Sequence, residues 1–412
     1  MTVTDHKYAP MREIVLKLGI LTFGLFVVGT NAFVIAGLLP QIAHTLGVTP
    51  TVVSYSITFY ALVVAIVAPV ISISLARMSR TTLMAGGLVL IAVGTVLAAL
   101  SHNIELFTLG RMIAGAGGAA LVPSATAAAT AVVPPARRGT AIAFVTAGFT
   151  LSTAVGAPLG TAIGAVGGWE LPLWALAGLA ALLVPAVLLG VRGIPIPPPA
   201  TFRHRLAALR DRRLVLTLLA GLLMFASFNS VYIFSSTITH AATGGSGPLL
   251  AVLLFAYGVA GIVGNVFAGP LTDRAGSRRF AMVTIGIQVL LLLALPLLDG
   301  GFAGTVVLFV IWGITAFATV VPLQHRLVEI DPANAGISLS WWASATYLGI
   351  AIAPLLGAAV LGVNPQFVPV VGAVLALAAI VVFLIGFRGS GSGSTGAATG
   401  SVESEPMTTP VA

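Results

Sequence analysis

Positive charge alternates along this chain with twelve long apolar stretches, and that alternation leaves few ways to fold it. The basic residues gather at Lys7, Arg12 and Lys17, at Arg77 and Arg80, at Arg137 and Arg138, from Arg192 to Arg213, at Arg274, Arg278 and Arg279, at Arg326 and at Arg388. These places lie before, between pairs of, and after the apolar segments, while every alternate loop is bare of Lys and Arg. Short loops rich in Lys and Arg stay on the cytoplasmic side of a membrane. An even number of spans with both termini cytoplasmic is therefore expected. Arg111 is the one basic residue inside a stretch.

Hydrophobic residues make up 58% of the chain and charged residues 7%, against roughly a quarter charged in soluble domains. A mean hydropathy of +1.09 agrees. Because about 20 apolar residues cross a bilayer, spans are expected near 14-39, 51-76, 82-100, 104-126, 139-164, 171-191, 214-238, 248-271, 280-298, 303-324, 335-361 and 366-387. The fold class is an all-α polytopic membrane protein with twelve transmembrane helices. The 47 Gly and 24 Pro then serve close helix approach and kinks. A net charge of +8 is accounted for by the loops, so no nucleic-acid partner is expected. With no cysteine, disulfides, thiol catalysis and thiolate metal sites are excluded. The first stretch is too long for a signal-peptide core and is read as a retained span. There is no G-x-x-x-x-G-K-[ST] phosphate loop and no cluster of nucleophile, base and orienter, so neither an enzyme nor a cofactor or metal is expected.

The longest polar interruption, 192-213, divides the spans six and six. It opens with Pro195, Pro197, Pro198 and Pro199, a stiff extended spacer. It continues through Arg203, His204 and Arg205 to Arg212 and Arg213, which suits either a short amphipathic helix on the anionic leaflet or a solvated linker. The organisation expected is a cytoplasmic segment 1-13, a six-helix half 14-191, the linker 192-213, a second half 214-387, and a Gly/Ser/Thr-rich disordered tail 388-412. The halves repeat one signal: Gly269-Pro270-Leu271-Thr272-Asp273-Arg274-Ala275-Gly276-Ser277-Arg278-Arg279 follows span 8, and a worn copy, Ser74-Leu75-Ala76-Arg77-Met78-Ser79-Arg80-Thr81, follows span 2. Half-repeats with a substrate cavity between them are a recognised transporter plan.

The Gly269 to Arg279 segment resembles the loop signature of the major facilitator superfamily, and the resemblance covers nearly the whole chain to about 388. Arg111-Met112-Ile113-Ala114-Gly115 is similar to that family's R-x-x-x-G segment, and Gly156-Ala157-Pro158-Leu159-Gly160 to its glycine-proline antiporter signature. Gly29-Thr30-Asn31-Ala32-Phe33, leading to Gly37-Leu38-Leu39-Pro40, is similar to the first span of bacterial 12-span drug:proton antiporters and sugar exporters. The resemblance implies two half-repeats, alternating access and no catalysis.

It also assigns roles. Asp273 and Arg274 would brace the inward-closed state against span 5. The first-half copy lacks that acid, which leaves Glu329 or Asp331 as partners for Arg77 or Arg80, although Asp331 before Pro332 equally suits a helix cap. Arg111 would serve coupling; a buried charge within a span is costly and a candidate functional residue. It cannot release its proton, so it would tune an acid, hold a polar or anionic substrate, or satisfy backbone carbonyls. Every acid lies at a loop, tail or span end, and the first span carries Asn31 where relatives have an acid. A proton carrier would have to be peripheral, such as Glu105. The small faces formed by Gly156, Pro158 and Gly160 in span 5 and by Gly261 in span 8 would pack the two halves together.

The cavity would draw on Asn31, Tyr55, Tyr60, Phe149, Phe228, Asn229, Tyr232, Tyr257, Trp312, Trp341, Trp342 and Tyr347, with Asn31, Asn229 and Tyr232 foremost. An aromatic pocket with sparse polar groups suits drug-sized amphipathic compounds. The reading is a monomeric bacterial inner-membrane exporter of such compounds, with the proton as counter-ion. The alternatives are an uncoupled facilitator for a sugar, nucleoside or other metabolite, and a non-transporting sensor on a transporter scaffold.

Overall fold

The computed structural model describes residues 11–75, 77–134, 137–194, 206–297 and 301–387. The prolines at 195–199, Arg203 to Arg205, the first ten residues and the tail from 388 lie outside them. Among the described residues twelve helices are long and apolar enough to cross a membrane. They are α1 (Met11–Leu46), α2 (Pro50–Ser74), α3 (Arg80–Ala99), α4 (Ile104–Ala131), α5 (Arg138–Gly167), α6 (Glu170–Gly190), α7 (Arg212–Ile233), α8 (Gly247–Ala275), α9 (Ser277–Ala294), α10 (Phe302–Ile330), α11 (Ala335–Leu361) and α12 (Phe367–Phe387). The chain is a multi-pass membrane protein.

Helix starts follow from local chemistry. Asn103 accepts from the Leu106 amide at 2.8 Å to open α4, and Asp211 from the Arg213 amide at 2.8 Å to open α7. Each such cap is worth about 1 kcal/mol. The turn between α8 and α9 rests on Gly276, whose φ of +79° is costly for any residue with a Cβ; its amide closes α8 on the Thr272 carbonyl at 2.8 Å. Several helices depart from the expected spans, α4 running on to Ala131 and α10 to Ile330. Apolar content marks where lipid ends rather than where a helix ends, so α1 runs on to Leu46. α7 stops at Ile233, and the mostly polar residues beyond it form single turns at Ser235–Ile238 and His240–Thr243.

Packing repeats with a shift of six helices. α1–α5, α2–α4, α3–α4 and α3–α6 in the first half correspond to α7–α11, α8–α10, α9–α10 and α9–α12 in the second. The halves meet through α2–α11 and α5–α8, two contacts that exchange under the same shift.

The apolar core comes in three parts. One joins the halves and draws on the ends of helices away from the basic loops, with Leu38 and Ile42 of α1, Val53 of α2, Leu253 of α8, Phe309 of α10 and Ala353 of α11. The other two lie toward the basic loops and stay within one half each: Leu21, Met84, Ala128 and Val187 in the first, Leu214, Ile285, Leu327 and Phe383 in the second. Since close packing is what holds transmembrane helices together, the halves join at the far end and keep separate cores at the basic end.

Candidate functional site

A run of aromatic rings crosses from one half to the other. Phe149 of α5 meets Phe33 of α1 edge-on at 5.7 Å, and Phe33 meets Tyr232 of α7 at 5.8 Å. Tyr232 leads to Tyr257 of α8 at 5.5 Å, and Tyr257 to Trp312 of α10 at 4.4 Å. Phe317 and Phe309 continue the run on α10. Ring pairs of this kind contribute about 0.5–1.5 kcal/mol each beyond buried area. Phe33 and Phe149 are half-buried; Tyr232, Tyr257 and Trp312 are buried. The Tyr232 hydroxyl and the Trp312 indole N–H have no hydrogen-bond partner. Four of the twelve residues expected to line the cavity, Phe149, Tyr232, Tyr257 and Trp312, are thus brought into one surface that crosses both halves.

Phe228, Asn229, Trp341, Trp342 and Asn31 lie elsewhere. Phe228 packs on Phe225 at 4.8 Å. Asn229 turns its amide back to the Phe225 carbonyl at 2.8 Å, which satisfies it within its own helix. Trp341 is half-buried on α11 beside buried Trp342, which meets Phe225 edge-on at 5.8 Å. Asn31 holds Arg111: the Arg111 Nη1 donates to the Asn31 carbonyl at 2.7 Å and also to its Oδ1. The Asn31 amide donates to Thr95 Oγ1 at 2.7 Å, tying α1 to α3 and α4.

Arg111 is 1% exposed, and its guanidinium lies 4.4 Å above the Tyr60 ring. A cation over a desolvated aromatic face gains about 2 kcal/mol. No ion pair among the described residues involves Arg111. Glu105 is exposed in the first turn of α4.

At the basic end the acids engage neighbours in their own half. Asp273 is exposed and lies 3.8 Å from His325 of α10. Glu329 lies 3.1 Å from His325 and 3.5 Å from Arg326, and accepts from Ser277 at 3.1 Å. Asp331 accepts from the Asn334 amide at 3.2 Å and its side chain at 2.9 Å, the capping arrangement. Arg77 and Arg274 are exposed, and Arg80 is half-buried. In this arrangement the acids at α8, α10 and α11 make no ion pair with Arg77, Arg80 or α5 among the described residues.

The glycine-proline segment works through a backbone irregularity. Pro158 lacks an N–H and its ring crowds the carbonyl four residues back, and the turn just before it, Ser152–Gly156, is a π-helix. That bulge meets α8 at Gly258, where an added Cβ would sit 2.3 Å from Ala154 Cα and 2.6 Å from the Thr153 carbonyl. Gly258 is therefore a close-approach glycine between halves where backbone meets backbone; Gly247 also lies against α5, its added Cβ 2.8 Å from Ala165 Cβ. Gly261 faces Phe317 of α10, while Gly156 and Gly160 face Thr30 and Val34 of α1. Sequence reasoning named α5 and α8 as partners but not this register. Phe33 and Phe317 were also missed; Phe33 stood inside a quoted motif, and nothing distinguishes Phe317 by pattern.

Residues 21–336 match the Major Facilitator Superfamily family model. The chain is 30% identical over 373 residues to an uncharacterized MFS-type transporter, YbcL, of Bacillus subtilis (strain 168), covering 90% of this chain and 96% of that protein. It is 28% identical over 360 residues to a chloramphenicol resistance protein of Streptomyces lividans, covering 84% and 89%. The crystal structure of a mutant of the nucleoside transporter NupG superposes with a TM-score of 0.74 at 14% identity, covering 91% of this chain and 100% of that one. With this match over most of its length and its half-repeat packing, this chain belongs to the Major Facilitator Superfamily.

Proposed function

We propose that this transporter exports small apolar or amphipathic compounds across a bacterial inner membrane, with the basic loops and both termini cytoplasmic. The observation that carries the reading is the aromatic run from Phe149 through Phe33, Tyr232 and Tyr257 to Trp312, which crosses from one half to the other. Such a surface gains from burying apolar area and offers few directional hydrogen bonds, which suits drug-sized ligands. A sugar site would need many paired polar groups, since each unpaired one is costly. Similarity to a chloramphenicol resistance protein supports export. With the halves joined at the far end and separately packed at the basic end, compounds would enter from the cytoplasm or inner leaflet and leave when the halves rock the other way.

Coupling to protons is the expected energy source, and one observation favours a second reading. Among the described residues every carboxylate lies at a helix end or loop and none accompanies Arg111. An uncoupled facilitator, of a nucleoside or another metabolite, would need no such group. Everted vesicles with an acidic interior, a quenched pH dye and a panel of hydrophobic antimicrobials and nucleosides separate the two. Proton release on adding an antimicrobial establishes antiport; saturable uptake of a labelled nucleoside without proton release establishes the facilitator and overturns the export reading.

A further inference from the structure

The free edge of Arg111 points to a ligand class. Its guanidinium has five N–H donors; Nη1 is engaged by Asn31, while Nε and Nη2 have no partner. Those two nitrogens form the side-on edge whose parallel N–H bonds match the two oxygens of one carboxylate. The ring beneath the guanidinium, Tyr60, belongs to a helix with further unpaired donors among the described residues. The hydroxyls of Tyr60 on α2 and Tyr347 on α11, both buried, have no hydrogen-bond partner, and neither has that of Ser56. Leaving a charge buried without counter-charge costs several kcal/mol, and each unmade donor adds about 1–3 kcal/mol. A buried positive charge with neutral neighbours and an unpaired two-donor edge is built to receive an anion.

We propose that Arg111 binds the carboxylate of a transported amphipathic molecule, its Nε and Nη2 holding the two oxygens and Tyr60 lying beneath the guanidinium. The proposal rests on the export reading and narrows the cargo to compounds with an apolar body and one carboxylate. Tyr60 packs against α4, where an added Cβ on Gly115 would meet its ring and one on Gly118 its hydroxyl, so the guanidinium and the ring beneath it both belong to the first half.

The test is binding to the full-length protein in detergent, read by thermal shift and isothermal titration, with benzoate, its neutral isostere benzamide, and chloride. Benzoate is expected to stabilise the protein, and benzamide and chloride to leave it unchanged. Arg111→Lys keeps the charge but loses the fork, and is expected to weaken benzoate about tenfold or more, the worth of a charge-assisted pair. Tyr60→Phe keeps the ring and is expected to weaken it less. Since Arg111→Gln could fail to fold, the lysine variant carries the decision. Equal stabilisation by benzamide, chloride-dependent stabilisation without a benzoate effect, or full benzoate affinity in Arg111→Lys would each overturn the proposal. Benzoate binding does not depend on the vesicle export assay, so failure of one is distinguishable from failure of the other.

Discussion

Thr58 of α2 donates its hydroxyl to the main-chain carbonyl of Ala351 in α11 at 2.8 Å, a side-chain hydrogen bond that ties one half of the molecule to the other. It sits where the shared apolar core closes the far end. Removing a hydrogen bond of this kind changes an equilibrium by about 0.5–1.5 kcal/mol. Thr58→Val keeps the shape and deletes the donor, so it is expected to raise the population open at the far end roughly two- to tenfold. The chain has no cysteine, so Ser56→Cys, at a fully buried position of the same helix, gives a single reporter. Its labelling rate by a membrane-impermeant maleimide should rise by that factor in the double variant. An unchanged rate would mean that the bond is no part of the seal.

Asn31 gives Arg111 a neutral partner where an acid would fit. Asn31→Asp conserves shape and turns the contact into a buried ion pair with a group that can take up and release a proton. The variant is expected to gain a pH dependence of transport that exceeds the wild type's, read as substrate-evoked proton movement in everted vesicles. Asn31→Leu removes the acceptor from Arg111 and the donor to Thr95 together. It is expected to lower stability by about 1–3 kcal/mol, the cost of an unsatisfied buried group, read by thermal unfolding. If both variants behave as the wild type in these assays, the Asn31 contact does not organise the site.

Asp211 carries the pH dependence that the linker end of α7 should show. The hydrogen bond from the Arg213 side chain, with lesser help from the Arg213 amide, holds the Asp211 carboxyl below its ordinary value of 3.8. A carboxyl depressed in the folded state stabilises fully above its unfolded value, and that contribution fades as pH falls through the folded value. Asp211→Ala should therefore lose about 1 kcal/mol of capping at neutral pH. Below pH 3.8 the difference between variant and wild type should shrink, as thermal unfolding in detergent at a series of pH values would reveal.

The twelve spans, the division into halves and the isolation of Arg111 were legible because lipid imposes them residue by residue: apolar length, loop charge and a lone buried cation need no tertiary information. What joins Asn31 to Arg111 was not, because it depends on how α1 and α4, 80 residues apart, are turned toward each other. Gly258 and Gly261 show the same limit more finely. Three residues along a helix rotate the direction by about 60° from coincidence, enough for Gly258 to face α5 and Gly261 to face α10. Composition gave both the same weight. The Asp273 segment was legible as a motif, but its partner His325 lies on α10 and carries no signature.

Gly258 then supplies the sharpest steric test of the interface between halves. A Cβ there would meet the backbone of Ala154 and Thr153 in the π-turn of α5 at 2.3 to 2.7 Å. Backbone cannot move aside as the end of a flexible side chain does. Gly258→Ala must therefore push α8 from α5, and overpacking of that order costs about 1–3 kcal/mol. Gly269 lies on the same helix with nothing within 4 Å of its own added Cβ, so Gly269→Ala is the matched control and also removes a helix-interior glycine, worth up to about 1 kcal/mol. The expected result is a lower unfolding temperature and reduced vesicle transport for Gly258→Ala, with no loss for Gly269→Ala. Equal behaviour of the two variants would show that α5 and α8 do not approach this closely, and the bulge before Pro158 would lose its part in bringing the halves together.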